Sequence, residues 1–435
     1  ADTDHVVSFD RAGTERRWSE LLASASALAA ALDAADGQRW AVDLDDTFEF
    51  AAALLGCWAA HKTPVLAPRP LLESAALAID GTIGPHDGAA GARRIPWQRL
   101  PAARSFIAEV PRDAELVLYT SGSTGVPKEV RRQVHNVEAE LAVLEQLWGH
   151  TLSRCRVYST VSHRHVYGML FRTLWPLLTR RPFATFDLDY PEQLVDERGN
   201  GQALIASPAL LKRLGHLPAR LTPWRAVFSS GGLLLGHVAV DAARALGTCP
   251  VEVLGSTETS GIAFRQQIDA ANTEWTAMPT VETRRSNDGL LEARSPFTGQ
   301  PHWLATGDLV RFAADGRFAL LGRGDHLAKI EDKRVSLAEI ERYLRDSPWV
   351  RDAAAVAFTD VARQYVGAVL ELSEHGAREL DARGRRAFGA LLKQSLRGKI
   401  EPVALPRKFR FVAEIPTDAQ GKRHAAKLRE LFEPR

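Results

Sequence analysis

The sequence has few sulfur-containing side chains. Its 435 residues include two methionines and three cysteines, Cys57, Cys155 and Cys249, which lie far apart along the chain. An odd number of widely spaced cysteines is not a disulfide framework, and none of the three belongs to a metal-type pair. Because free thiols are typical of a reducing compartment, we expect a cytoplasmic protein.

The sequence also has no excess of charge of one sign and no long apolar run. Lysine and arginine number 55 against 53 aspartates and glutamates, which gives a formal net charge of +2. So even a balance does not indicate nucleic acid or another large polyanion as a partner. The longest apolar run, residues 51–60, has about half the length of a bilayer span. Since the N-terminal stretch carries charge throughout, we expect neither a membrane span nor a signal peptide.

Strand-like and helix-like segments alternate over the first part of the chain. Residues 19–35 carry leucines at helical spacing, and residues 40–44 form a short apolar run typical of a buried strand. Asp46 and Asn136 are expected to cap helices. This alternation predicts an α/β fold in which helices cover largely parallel sheets. Residues 262–321 instead predict short strands and turns, which form a small β-rich part.

The chain changes character at Gly322-Arg323-Gly324-Asp325, where two glycines flank an arginine. Ser336 and Glu339 then form the sequence of a capping box, and further strands and a long charged helix follow. About 110 residues are enough for a compact α+β domain. The sequence therefore predicts two domains, a large one over residues 1–324 and a small one over residues 325–435.

A glycine- and hydroxyl-rich stretch, YTSGSTGVPK at residues 119–128, follows the apolar run at residues 115–119. Two glycines and a proline disfavour a helix, so the stretch predicts a loop that leaves a strand. Backbone N–H groups, several hydroxyls and the Lys128 ammonium suit a polyphosphate. The stretch is not a P-loop, because Val126-Pro127 separates Gly125 from the lysine. An ordinary Ser/Gly-rich surface loop is the alternative interpretation.

Several other polar turns follow predicted strands. They occupy residues 206–208, 229–232 and 255–259. Ligand sites in open α/β sheets lie beyond the carboxyl ends of the strands, so these turns are candidates for one shared cleft.

Each remaining motif has a chemical and an ordinary interpretation. Glu258, beside Thr257, offers a carboxylate to Mg²⁺, or it forms a surface turn. Asp308 can accept two hydrogen bonds from ribose hydroxyls, or it forms a turn. Arg323 and Lys422 either meet a ligand or are solvated charges. His165 is either a pocket wall or a packed ring.

The order of these motifs is more specific than any one of them. The series reads YTSGSTGVPK, HVYG, GSTET, TGD, GRGD, KIEDKRVSLAEIE and finally GK. It resembles the adenylate-forming superfamily, which contains acyl- and aryl-CoA synthetases and the adenylation domains of peptide synthetases. The resemblance extends from Trp18 to Leu428, nearly the whole chain.

The resemblance implies an ATP-dependent acid–thiol ligase. Such enzymes convert a carboxylic acid and Mg²⁺–ATP into an acyl-adenylate and pyrophosphate, and a thiol then displaces AMP. The implied acceptor is CoA or the phosphopantetheine of an acyl carrier protein, and an aryl acid is our first guess at the substrate. The small C-terminal domain would rotate between the two steps about a hinge at Asp325.

The resemblance also implies residue roles. The loop would hold the β- and γ-phosphates, Thr257 the α-phosphate, Glu258 the metal and Asp308 the ribose, with Arg323 beside it. The implied nucleotide-binding residues are Thr120, Ser121, Gly122, Ser123, Thr124, Gly125, Lys128, Gly255, Ser256, Asp308 and Arg323. The implied catalytic residues are Lys422, Thr257, Glu258 and His165. The implied acid-binding residues are His165, Tyr167, Ser230, Gly231 and Gly232.

Three positions depart from the family pattern. Leu254 replaces the aromatic residue that stacks on adenine. Asp332 replaces a glycine that lets the backbone approach the pantetheine arm, which favours a carrier protein over CoA. Glu129 replaces a glycine and has no explanation in the sequence.

An acidic carrier protein would require a basic docking patch. Candidates for it are Arg131-Arg132, Arg172, Arg180-Arg181 and Lys333-Arg334, with an ordinary solvated face as the alternative. Two other functions stay open at this point. The protein could be a non-catalytic homologue that binds a nucleotide or acyl ligand as a regulator. It could also be a phosphotransferase that uses the same loop.

Overall fold

A computed structural model describes most of the chain. The described residues are 4–72, 77–85, 93–100, 109–120, 128–196, 201–216, 222–268, 273–324, 327–330, 333–360, 363–417 and 423–433. They form two compact units, one of residues 1–283 and 293–304 and one of residues 284–292 and 305–435. We call them the N-terminal unit and the C-terminal unit.

The N-terminal unit contains the first fifteen strands. They are β1 (Val6–Phe9), β2 (Glu15–Arg17), β3 (Arg39–Val42), β4 (Thr63–Leu66), β5 (Gly81–Ile83), β6 (Arg93–Ile95), β7 (Glu115–Thr120), β8 (Lys128–Gln133), β9 (Arg156–Ser159), β10 (Phe183–Ala184), β11 (Gln202–Ala206), β12 (Ala226–Ser229), β13 (Val251–Ser256), β14 (Ser260–Arg265) and β15 (Thr276–Ala277).

The helices of this unit alternate with the strands. They are α1 (Trp18–Asp33), α2 (Thr47–Ala59), α3 (Arg69–Leu72), α4 (Val134–Trp148), α5 (Val166–Gly168), α6 (Trp175–Leu178), α7 (Gln193–Asp196), α8 (Pro208–Arg213) and α9 (Gly236–Leu246), with a π-helix (Met169–Leu174) between α5 and α6 and short 3₁₀ turns at Trp97–Arg99, Leu214–His216 and Pro296–Thr298.

Two sheets organise these elements. One has the strand order β15-β14-β13-β12-β11-β9-β10-β1-β2 and the other β6-β5-β3-β4-β7-β8. The inner pairs are parallel, whereas β7–β8, β13–β14 and β1–β2 are antiparallel pairs at or near the edges. The α/β class with covered parallel sheets is therefore confirmed.

Local sequence chemistry explains where some helices begin. The Asp46 carboxylate accepts from the backbone N–H groups of Phe48 and Glu49, as expected of a helix cap. The prediction for Asn136 is wrong. Helix α4 begins at Val134, two residues before Asn136. The Asn136 side chain accepts from the Gln133 N–H and donates to the Pro296 carbonyl. The Asn136 oxygen therefore takes part in a capping box from the third helical position instead of the N-cap position, and its amide nitrogen binds a distant partner.

The C-terminal unit combines a β-rich part with an α+β part. Its strands are β16 (Glu282–Arg285), β17 (Leu290–Arg294), β18 (Leu304–Phe312), β19 (Phe318–Arg323), β20 (Leu327–Ile330), β21 (Lys333–Ser336), β22 (Val350–Asp360), β23 (Arg363–Leu372) and β24 (Lys408–Val412), of which β16, β17 and β18 include residues of the N-terminal unit. Its helices are α10 (Leu337–Arg345), α11 (Glu374–Leu396) and α12 (Ala425–Glu430), with a 3₁₀ turn at Pro402–Ala404.

Helix positions in this unit follow the sequence closely. Ser336 caps α10 by accepting from the Glu339 N–H at 3.2 Å, as predicted. The long charged helix is present as α11, but Gly384 interrupts it with φ +74°, which other residues rarely adopt. Among the described helices, none combines the length and apolar character that a bilayer crossing requires. The domain boundary between residues 324 and 325 stays a prediction.

Candidate active site

The predicted phosphate loop joins β7 to β8. These strands are antiparallel, and Thr120 at the end of β7 pairs with Lys128 at the start of β8. The loop therefore leaves a strand, as predicted. Its own residues, Ser121, Gly122, Ser123, Thr124 and Gly125, lie outside the described part of the chain, so their contacts stay predictions.

A cluster of polar side chains holds the base of this hairpin together. Glu129 accepts hydrogen bonds from Arg39 at 2.7 and 3.2 Å and from the Tyr119 hydroxyl at 2.7 Å. Arg131 adds a further bond to Glu129 at 2.8 Å. The hydrogen bonds from Arg39 are the main cause that lowers the pKa of Glu129 to about 2. Glu129 thus has a structural role, tying the two ends of the loop to β3.

The turn between β13 and β14 carries Thr257 and Glu258. Ser256 and Thr259 bracket it, with the Ser256 N–H donating to the Thr259 hydroxyl at 3.1 Å and the Thr259 N–H donating to the Ser256 hydroxyl at 3.2 Å. Gly255 is required at the entry to the turn, because an added Cβ would lie 2.3 Å from the Ser260 carbonyl oxygen. The turn is therefore closed by its own backbone and side chains.

Arg132 on β8 reaches this turn from the other sheet. Its Nη2 donates to the carbonyl oxygens of Thr257 at 2.6 Å and Glu258 at 2.8 Å. The residue is only 5 % exposed, and burial lowers its pKa. From the sequence, Arg132 is expected only as part of a basic surface pair with Arg131. Alternation along the strand was the available signal, since Val130 and Arg132 share one face and Arg131 lies on the other.

Three of the arginines proposed for a docking patch are buried. Arg132, Arg172 and Arg181 are at most 7 % exposed. Arg172 pairs with Asp187, and Arg181 pairs with Glu145 at 2.6 Å. Their charges are used inside the N-terminal unit, so the basic-patch prediction is wrong for these three residues.

Lys128 and Glu258 bring two predicted motifs together. The Lys128 ammonium lies 3.8 Å from a carboxylate oxygen of Glu258, and both side chains are solvent-accessible. Such a pair contributes little to stability, because water screens it. A cation and a carboxylate side by side at the edge of a sheet fit a polyphosphate and its Mg²⁺, since carboxylates and phosphates together are the usual ligands of that ion.

The residues predicted for the acid pocket follow β9 and β12. His165 is half-buried and precedes α5, and Tyr167 lies in α5, where burial raises its pKa well above the ordinary value. The Ser230 hydroxyl donates to the Val253 carbonyl at 2.8 Å, so its proton already links β12 to β13. Gly231 takes φ +87°. These residues follow the carboxyl ends of β9 and β12, which β11 separates in the nine-stranded sheet, and their role in binding the acid stays a prediction.

His163, two residues before His165, is held by contacts at both ring nitrogens. Its Nε2 lies 2.8 Å from the Leu44 carbonyl oxygen, and its Nδ1 lies 3.3 Å from the Thr47 hydroxyl. Burial lowers the pKa of His163 well below its usual value. This histidine is therefore neutral and packs β3 and α2 against the loop that follows β9.

Asp308 and Arg323 lie together in the C-terminal unit. They face each other across β18 and β19, with Nη1 of Arg323 3.8 Å from Oδ1 of Asp308. Arg323 also donates to the Thr306 carbonyl at 3.3 Å. Lys422, Asp325 and Asp332 lie outside the described residues, so the predictions made for them stay predictions.

Comparison with known protein families gives two matches. Residues 83–286 match the AMP-binding enzyme family, and residues 339–422 match the AMP-binding enzyme C-terminal domain. Together they span about two thirds of the chain, in the expected order. The chain belongs to the adenylate-forming superfamily. It is accordingly an adenylate-forming ligase, which activates a carboxylic acid as an acyl-adenylate and forms a thioester.

Individual relatives agree with this assignment. A 4-coumarate–CoA ligase of Rhodobacter capsulatus is 27 % identical over 326 residues, which cover 74 % of this chain and 77 % of the relative. An anthranilate–CoA ligase of Pseudomonas aeruginosa is 26 % identical over 425 residues, covering 88 % and 76 %. Among solved structures, ATP-bound MatB from Rhodopseudomonas palustris superposes with a TM-score of 0.82 at 20 % identity, covering 99 % of this chain and 97 % of that one, and shares the fold.

Replacing Glu129 tests the cluster at the base of the loop. Because the pKa of Glu129 falls from 4.5 to about 2, its stabilisation is complete above about pH 4.5 and is lost as the pH falls towards 2. We expect Glu129→Gln to lower the free energy of unfolding near neutral pH by about 1–2 kcal/mol. The difference from the wild type should disappear near pH 2, as measured by urea unfolding across pH.

Glu138→Gln is the matched control, since Glu138 forms an exposed pair with Arg112 on the same unit. It should change stability by less than about 0.5 kcal/mol at any pH. Equal pH profiles for Glu129→Gln and the wild type would show that the cluster does not stabilise the hairpin.

Proposed function

We propose that this enzyme is an ATP-dependent aryl acid–thiol ligase. The proposal rests on the contact between Lys128 and Glu258. This contact brings the end of the predicted phosphate loop close to the Thr257–Glu258 turn. The acceptor is a phosphopantetheine thiol, either of CoA or of a carrier protein. The free cysteines Cys57, Cys155 and Cys249 suit a reducing cytoplasm.

In the proposed first step, a carboxylate oxygen of the acid attacks the α-phosphorus of ATP. The bond between the α-phosphorus and its bridging oxygen breaks, and pyrophosphate leaves. Thr120 and Lys128 would hold the β- and γ-phosphates with the loop between them, Thr257 would meet the α-phosphate, and Glu258 would hold Mg²⁺. A bound Mg²⁺ neutralises phosphate charge. Catalysis then depends mainly on positioning and on preorganised charge.

The remaining proposed roles belong to Asp308, Arg323 and Lys422. Asp308 accepts from the ribose hydroxyls, and Arg323 lies beside it. Lys422 bridges the reacting carboxylate and the α-phosphate, because an ammonium there offsets the charge that develops in the transition state. Residues 325–435 then turn about Asp325, and the thiol attacks the acyl carbon as AMP leaves.

The proposal of an aryl acid as substrate is supported by the relatives and by the residues that follow β9. The two CoA ligases named above act on 4-coumarate and anthranilate, both aromatic acids. The rings of Tyr167 and Phe171 contact each other in a tilted arrangement with centroids 4.9 Å apart, so aromatic side chains lie in the helical segment that follows His165. His165 and the turn at residues 230–232 complete the proposed acid pocket.

The regulator and the phosphotransferase are the competing functions. A non-catalytic homologue has no need of Lys128, Glu258, Asp308, Arg323 and Lys422 together, and all five are present. A phosphotransferase would attack the γ-phosphorus and release ADP. The products AMP and pyrophosphate therefore distinguish the proposed ligase from that alternative.

The first experiment is ATP–pyrophosphate exchange with a panel of aryl and acyl acids. We expect exchange that depends on an aryl acid. Lys422→Ala should reduce it by at least about a hundredfold, because the bridging cation is lost. Lys427→Ala, an exposed lysine on α12, is the matched control and should leave the exchange unchanged. If no acid in the panel supports exchange, the proposed function is wrong.

The acceptor is tested with the pre-formed adenylate and either CoA or a carrier protein bearing phosphopantetheine. Asp332 places a negative charge where family members have glycine, so we expect faster transfer to the carrier protein. Asp332→Gly should raise kcat/KM for CoA about tenfold without changing the exchange rate, and Asp332→Asn separates charge from bulk. Wild-type transfer to CoA at the rate of the Asp332→Gly variant would contradict this assignment.

A further inference from the structure

Arg132 is a charged residue to which the proposed mechanism gives no role. It lies on β8, four residues after Lys128, and its guanidinium is nearly inaccessible to solvent. Buried charges are costly unless they are paired, so a fully buried arginine requires partners. The partners of Arg132 are backbone carbonyls of the turn that carries Thr257 and Glu258.

The geometry of these contacts is specific. A single nitrogen, Nη2, donates to the Thr257 carbonyl oxygen at 2.6 Å and to the Glu258 carbonyl oxygen at 2.8 Å, while Nη1 donates to the Arg131 carbonyl at 2.9 Å. Two consecutive carbonyls that bind one donor fix the orientation of the peptide between them. The side chains of Thr257 and Glu258 must then leave the turn in defined directions.

A second buried charge holds the next residues of the same hairpin. Glu140 on α4 is 2 % exposed and accepts from the Gly261 N–H at 2.8 Å. Burial raises its pKa, and hydrogen bonds from Gly261 and Ser260, together with the charge of Arg132, offset part of that shift. Arg132 also interacts electrostatically with Glu258. Arg132 and Glu140 therefore hold successive residues of the β13–β14 hairpin through separate hydrogen bonds.

We propose that Arg132 is a positioning residue for adenylation, which fixes the Thr257–Glu258 turn so that Glu258 can hold Mg²⁺ beside the α-phosphate. This inference rests on the proposed function of that turn. Arg132 does not contact the reacting groups and acts only through the two carbonyls. Groups that orient metal ligands in this way typically change metal affinity or activity by about 10–100-fold when they are removed.

Removing Arg132 alone would leave Glu140 buried without its cation, and the protein could fail to fold for that reason. The test therefore uses Arg132→Met in the Glu140→Gln background. Glutamine keeps the side-chain oxygen that accepts from Gly261 and carries no charge. Glu140→Gln alone is the reference, and Arg244→Met, in an exposed ion pair on α9, is the surface control.

The measurement is ATP binding by calorimetry at a series of Mg²⁺ concentrations, without the carboxylic acid substrate. The quantity compared is the Mg²⁺ concentration that gives half of the maximal ATP binding. We expect Arg132→Met/Glu140→Gln to require about tenfold more Mg²⁺ than Glu140→Gln, with similar thermal midpoints. Arg132→Lys should recover part of the loss, because an ammonium can still donate to a carbonyl. Arg244→Met should match the wild type.

Equal Mg²⁺ dependence in the double variant and in Glu140→Gln would overturn the positioning role, even if the double variant were less stable. The outcome is independent of the acid. If the expected Mg²⁺ shift occurs but no acid supports pyrophosphate exchange in the wild type, the proposed function fails and the positioning role stands.

Discussion

The N-terminal unit depends on polar contacts that join its two sheets. Strand β8 belongs to the six-stranded sheet, and its Arg132 donates to carbonyls of the turn that leaves β13 in the nine-stranded sheet. At another place, His163, which follows β9, contacts the Leu44 carbonyl after β3. Buried polar groups are costly unless they are satisfied, so these contacts permit few alternative alignments of the sheets.

This arrangement explains why the candidate site is built from two kinds of element. The predicted phosphate loop starts from a hairpin whose base is held by hydrogen bonds among Glu129, Arg39 and Tyr119. The Thr257–Glu258 turn is closed by its own hydroxyls and held from outside by Arg132. The exposed pair of Lys128 and Glu258 joins the loop to the turn. Because water screens this pair, it is weak, and a ligand can separate the two side chains as it enters and leaves.

The sequence predicts the parts of this structure that local chemistry decides. Alternating strands and helices, the strand before the loop, and the caps at Asp46 and Ser336 all depend on neighbouring residues, and each is present. Asn136, Glu129 and Arg132 could not be assigned from the sequence, because each binds a residue between 90 and 160 positions away. The basic patch was predicted wrongly for the same reason. The sequence does not show that Arg172 pairs with Asp187 or that Arg181 pairs with Glu145.

The central claim is that a carboxylate oxygen attacks the α-phosphorus of ATP. The most direct measurement follows oxygen-18 from a labelled aryl acid through one complete turnover with thiol. The account predicts one labelled oxygen in AMP and none in pyrophosphate, because the attacking oxygen stays with the phosphorus when the thiol displaces AMP. Unlabelled AMP, or label in inorganic phosphate accompanied by ADP, would contradict it.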